Sequence, residues 1–222
     1  MSLACRACAE ALGTAFLLAA VVGSGIMAER LSGGNEAIAL LANAIATGGA
    51  LVALIFTFGP MSGAHFNPLV SAALAAHKEF PWRDVPAYAG AQIIGALAGV
   101  AAAHAMFALP VLQVSSKARA GPALMWSEFV ATFGLIAVIL IGVRLRSPSV
   151  PYAVAAYITG AYWFTASTSF ANPAVTIARS LTDTFAGIRP DDVGGFLLAQ
   201  LAATPIVAMV VAWIVPKRGG AG

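Results

Sequence analysis

Two strings carry the most distinctive chemistry of this chain: Asn67-Pro68-Leu69-Val70 and Asn172-Pro173-Ala174-Val175, each followed by a hydroxyl residue, Ser71 or Thr176. Proline suits the first turn of a helix, where its missing N–H would have no partner, and asparagine is a favoured N-cap. Each Asn-Pro therefore predicts a helix start. A capping asparagine uses its carbonyl oxygen, so the amides of Asn67 and Asn172 are expected to stay free as donors toward a lumen. Two acids, Glu10 and Glu128, stand inside otherwise apolar stretches, where an ionisable side chain has a specific task. Their matched placement predicts that each accepts N–H bonds from the loop before an Asn-Pro; a proton relay is the alternative. Ser, His and Asp nowhere converge on a nucleophile-and-base pattern, and three scattered histidines lack Cys or carboxylate partners at ligand spacing. No enzyme, cofactor or metal site is expected.

The elements that must position these residues are apolar. The 222 residues are 60% hydrophobic and 9% charged, with a mean hydropathy of +0.87, whereas soluble domains carry about a quarter charged residues. Charged side chains are absent from 11–28, 37–77, 85–116, 147–178 and 193–216. Runs of roughly 20 such residues cross the hydrocarbon layer as helices, and they lack the alternation of a membrane barrel. Spans are predicted at about 9–29, 37–58, 84–107, 122–143, 151–168 and 192–215. Two stretches remain, 67–77 and 172–182, each long enough for half a crossing. Glu10 interrupts the signal-like stretch 1–28, which reads as a retained helix. Net charge is +3, from basic residues placed between the runs, and no nucleic-acid surface is implied.

The chain repeats itself. Ala9-Glu10 with Thr14 answers Glu128 with Thr132, and Ala91-Gln92 answers Ala199-Gln200. Each half reads Glu, Asn-Pro, Ala-Gln over three crossings, which predicts two inverted repeats meeting at the membrane midplane. The fold class is all-α: six transmembrane helices and two re-entrant half-helices in one channel domain over 1–222, with repeats at about 1–110 and 120–222. Arg6, Lys78, Arg83, Arg144, Arg146, Lys217 and Arg218 would share one side against Arg30, Lys117, Arg119, Arg179 and Arg189, a bias toward cytoplasmic termini in the inner (plasma) membrane. Gly95-x-x-x-Gly99 predicts close helix packing.

Non-helical backbone at membrane depth must line a polar cavity, so Ser62 to Phe66, including Ala64 and His65, and Ala166 to Ala171, including Phe170, are expected along a lumen. Two helix N-termini aimed at its centre carry about half a positive charge each and repel cations. Neutral hydrogen-bonding solutes are favoured. His65 either faces the lumen or anchors its loop; His77 and His104 read as interfacial. Cys5 and Cys8, in a C-x-x-C before the first predicted span, read as inert thiols, with metal or metalloid binding as the alternative.

Ser62-Gly63-Ala64-His65-Phe66-Asn67-Pro68 and Phe170-Ala171-Asn172-Pro173-Ala174 resemble the two signature loops of the aquaporin and aquaglyceroporin family, and the similarity spans essentially the whole chain. The resemblance implies a homotetramer in the lipid bilayer, with one cofactor-free pore per subunit for water or small neutral solutes. It implies a central constriction at Asn67, Pro68, Leu69, Asn172, Pro173 and Ala174. By offset from the two asparagines, it also implies an outer filter at Thr47, Gly160, Ser169 and Val175. The family's aromatic and arginine are missing from that set, and Leu69 replaces its alanine, which bears on the central width. Arg179, one turn beyond Val175, reads as a mouth residue pairing with lipid, loop or Asp183; a displaced filter cation is the alternative.

A filter of small residues with two hydroxyls and a valine suits a trihydroxy solute. The chain resembles a bacterial arsenic-resistance subgroup with such a filter, which implies arsenite and methylated arsenicals as cargo. General glycerol or polyol uptake, water conduction, and a secondary active transporter are the alternatives.

Overall fold

The computed structural model describes residues 1–215, so Lys217 and Arg218 of the orientation argument lie outside the described residues. Eight helices follow in order: α1 (Leu3–Leu31), α2 (Glu36–Ser62), α3 (Pro68–Ala76), α4 (Val85–Met106), α5 (Pro122–Arg144), α6 (Val150–Phe164), α7 (Pro173–Ala178) and α8 (Pro190–Ile214). Short 3-10 turns occupy Trp82–Asp84 and Arg179–Leu181. Five of the helices, α1, α2, α4 with its preceding turn, α5 and α8, are long and apolar enough to cross a membrane. The sixth, α6, has 15 residues and ends at Phe164, four short of the predicted boundary. Thr165 turns extended there, because the chain must leave the helix to become the loop before Asn172.

The outside of the bundle is apolar. Ile94, Leu198 and Trp213 are more than 60% exposed, which is costly in water and favourable against lipid tails. Polarity is turned inward: Glu10, Glu128, Gln92 and Gln200 are fully buried.

In the first half α1 packs on α2 and α4; in the second α5 packs on α6 and α8. The α1–α4 approach is close because Gly95 and Gly99 face the backbone carbonyls of Ala11 and Ala15, where any Cβ would collide. Helices α2 and α6 join the halves. The half-helices cross between them: α3 touches α4 of its own half and α5 and α8 of the other, and α7 touches α8 and α4. Each short helix is thereby wedged between both repeats.

Candidate functional site: a pore braced by two Asn-Pro helix starts

The asparagines do begin the half-helices. Asn67 Oδ1 accepts from the Leu69 N–H at 2.9 Å, and Asn172 Oδ1 from those of Ala174 and Val175 at 3.0 and 3.4 Å. The amide ends do more than face a lumen. Asn67 Nδ2 donates to the Ala171 carbonyl at 2.8 Å, and Asn172 Nδ2 to the Phe66 carbonyl at 2.7 Å. This corrects the expectation of wholly free amides: each –NH2 has two protons, one spent on the opposite loop and one left for the cavity.

The loops themselves are strained in the same way. Ala64 and Phe66 have φ of 49° and 50°, and Ser169 and Ala171, at the same offsets from their asparagine, 53° and 49°. Left-handed backbone costs a non-glycine residue about 1–3 kcal/mol and persists only where surroundings enforce it. The buried carboxylates do so. Glu10 accepts from His65 N, Phe66 N, Ser62 Oγ and Gln92 Nε2 at 2.9, 2.7, 2.6 and 2.8 Å. Glu128 accepts from Phe170 N, Ala171 N and Gln200 Nε2 at 2.8, 2.8 and 2.6 Å. Such charge-assisted bonds are roughly twice as strong as neutral ones. The glutamines also donate to Ser71 and Thr176, whose hydroxyls donate in turn to the asparagine carbonyls. The ring of Phe66 lies against Gly13, where no side chain would fit.

Between these loops and the long helices runs a cavity of about 130 Å³. Its walls are rows of residues four apart: Thr47, Leu51 and Ile55 on α2, Leu135, Ile139 and Val143 on α5, and Val150, Val154, Ile158 and Tyr162 on α6. Such rows run nearly along a helix, so each presents one long stripe, apolar except for the hydroxyls of Thr47 and Tyr162. The other polar groups come from the opposite side: His65, Asn67, Asn172, Ser169 and Arg179. Ser169 Oγ is buried with no hydrogen-bond partner among the described residues. His65 both lines the cavity and pairs through Nδ1 with Ser71 Oγ at 2.9 Å. Arg179 is 2% exposed, donates through Nε to the Ala186 carbonyl, and sets its guanidinium carbon 3.4 Å from the centre of the Phe170 ring.

Comparison with known proteins agrees with this geometry. The model of the family described as major intrinsic protein matches residues 1–149. Aquaglyceroporin AqpS of Rhizobium meliloti is 55% identical over 96% of this chain and 91% of its own. The chain belongs to the major intrinsic protein family. Aquaporin NIP1-3 of Oryza sativa subsp. japonica is 37% identical over 59% of this chain and 46% of its own. The X-ray structure of the aquaglyceroporin from Plasmodium falciparum shares the fold, with a TM-score of 0.69 at 18% identity over 97% of this chain and 98% of that one. As a major intrinsic protein the chain is a multi-pass membrane channel for small neutral solutes and not an enzyme.

Within this major intrinsic protein the site residues sort as follows. Of the six placed at the centre, Asn67 and Asn172 line the cavity; Pro68, Leu69, Pro173 and Ala174 do not. Leu69 packs instead with Val70, Leu74, Ile136, Leu140 and Val207, so its bulk does not narrow the passage. Ala64, His65, Phe66 and Phe170 are at the wall, while Ala171 is buried behind it. Thr47, Ser169 and Val175 also reach the cavity.

Gly160 does not: it is exposed on the far side of α6, two residues off the row that ends in Tyr162. Offset counting missed Tyr162, whose hydroxyl lies 3.3 Å from Thr47 Oγ1; the four-residue spacing of Val150, Val154 and Ile158 was the available signal. Arg179 is likewise not paired with Asp183, which accepts from Ser116 N and Oγ. His77 and His104 are buried rather than interfacial, His104 between the Val111 carbonyl and Thr182 Oγ1.

Proposed function

We propose that this chain is a passive pore for neutral trihydroxy solutes, with undissociated arsenous acid and its methyl derivatives as principal cargo and glycerol and water also passing. The supporting observation is the wall at Val175. A valine there, with the hydroxyls of Thr47, Ser169 and Tyr162 nearby, offers a solute both oxygen partners and an apolar side. A pyramidal trihydroxide, or one bearing a methyl group, presents those two faces. Two asparagine protons supply the next hydrogen bonds inward. No carboxylate among the described residues lines the cavity, so coupling to a driving ion has no support there and flux follows the solute gradient.

In the same reading the subunit assembles as a homotetramer in the inner membrane, its termini cytoplasmic, each protomer holding its own pore. The experiment is a flux comparison in proteoliposomes. Arsenite and methylarsenite should enter well above empty vesicles, without saturation and without dependence on a pH gradient. If glycerol passes while both arsenicals stay at the control rate, the arsenical cargo is wrong and polyol uptake is the function. Counterflow would instead point to an active transporter.

A further inference from the structure

We propose that this pore separates size selection from cation exclusion: an uncharged ring at Thr47, Ser169 and Val175 sorts solutes by girth, and Arg179, one turn further along, supplies the charge that refuses cations. The inference rests on the passive-channel reading and is independent of the arsenical one.

Val175 lies in the first turn of α7 and Arg179, four residues later, opens the 3-10 turn that follows it; both line the cavity. At 1.5 Å per residue their backbones stand about 6 Å, or one turn, apart. Thr47, Ser169 and Val175 themselves carry no ionisable group. The Arg179 guanidinium is fixed on two counts, by the Ala186 carbonyl at Nε and by the face of Phe170. No carboxylate pairs with its charge: the ion pairs among the described residues involve only Arg6, Arg83 and Arg189.

A second guanidinium reinforces the first. Arg119, on the connection between α4 and α5, donates through Nε to Gly187 O at 2.7 Å and through Nη1 to Ser167 O at 3.1 Å. It lies 5.1 Å from the centre of the same Phe170 ring. Arg119 is 9% exposed and does not line the cavity, so it is a positioning residue: it holds Phe170 and the loop on which Arg179 rests and adds its own positive potential. Two unneutralised cations beside a low-dielectric passage make a barrier to cations without narrowing the ring.

The test uses proteoliposomes with two readouts, the largest polyol admitted and the proton and sodium leak under an imposed potential. Arg179→Met should raise the leak on the order of tenfold with the polyol cut-off no smaller, and Arg179→Lys should stay cation-tight. Arg119→Met should raise the leak less, with the cut-off unchanged. Val175→Phe should lower the cut-off and leave the leak at the wild-type level. Val175→Asp keeps Arg179 and sets a carboxylate one turn away; it should leak cations even if Arg179→Met fails to fold. A folded Arg179→Met or Val175→Asp protein that admits glycerol yet remains tight overturns the proposal, as does a leak opened by Val175→Phe. A wild type that admits no solute would instead sink the channel reading.

Discussion

The side-chain amide of Asn172 donates to the main-chain carbonyl of Phe66 at 2.7 Å, while Asn67 returns the bond to Ala171. Each repeat thus fixes the loop of the other, and the two half-helices cannot be positioned separately.

Asn172→Ala removes the cap on α7 and leaves the buried Phe66 carbonyl without this donor. The combined loss should be about 2–4 kcal/mol, visible as a lowered midpoint of thermal unfolding in detergent. Asn172→Asp retains a capping oxygen and should fall between that variant and wild type. An alanine variant as stable as wild type would show that the cross-link contributes little.

Replacing Glu128 by Gln turns one acceptor into an –NH2 that confronts a backbone N–H or the Gln200 amide. A destabilisation of about 2–3 kcal/mol follows, with release of the Ser169 and Ala171 backbone from its left-handed conformation. Glu10→Gln should cost more, because Glu10 holds four donors against three. Solute flux of the wild type should be independent of a proton gradient; a gradient-driven flux lost in Glu128→Gln would favour the relay role.

Gly95→Val places a Cβ against the Ala11 carbonyl of α1. Since backbone and not a flexible side chain is in the way, the helices must part, and a loss of about 2 kcal/mol or more is expected from overpacking. Gly49 of α2 has open space beside it, so Gly49→Ala should be neutral or up to about 1 kcal/mol stabilising. Thermal unfolding of the pair checks both signs.

Val175→Arg should cut metalloid flux more than water flux, by narrowing the cavity wall. Gly160→Leu, on the exposed side of α6, should leave the ratio of glycerol to water permeability unchanged, whereas Tyr162→Phe should alter it. Stopped-flow swelling and shrinking measurements read both. A selectivity change at Gly160 without one at Tyr162 would reverse the assignment of the α6 pore face.

Asp183 lies in the connection to α8, outside the spans, and its carboxylate accepts from the Ser116 N–H at 2.8 Å and the Ser116 hydroxyl at 2.9 Å. These bonds hold its pKa below the ordinary aspartate value. A depressed folded pKa means the contact stabilises the loop above the ordinary value and is lost as pH falls through the depressed one. Amide hydrogen exchange at Ser116, corrected for its intrinsic pH dependence, should therefore quicken on acidification, and Asp183→Asn should remove that change.

Much of this architecture is legible without coordinates, because its signals are local. Apolar runs of span length, Asn-Pro as a helix start and the recurrence of Glu, Asn-Pro and Ala-Gln need only neighbouring residues and the cost of unpaired backbone in lipid. The pairing of Glu10 and Glu128 with their own loops is legible for the same reason: few other groups in a dry interior can receive those N–H bonds.

The pore wall is different. Offsets along the chain placed Gly160 in it and left out Tyr162, because the turn at which α6 gives way to extended backbone sets which face looks inward, and that turn answers to packing against α2 and α5. The effect of Leu69 on the central width is open from spacing alone; the fold turns its side chain to Ile136, Leu140 and Val207. Composition and spacing by themselves determined a membrane-embedded inverted repeat with two capped half-helices. Only tertiary structure decided that each asparagine clasps the opposite loop and that Arg179 turns into the passage, because both depend on partners more than a hundred residues away or on a loop that folds back, and such contacts leave no periodic trace in the chain.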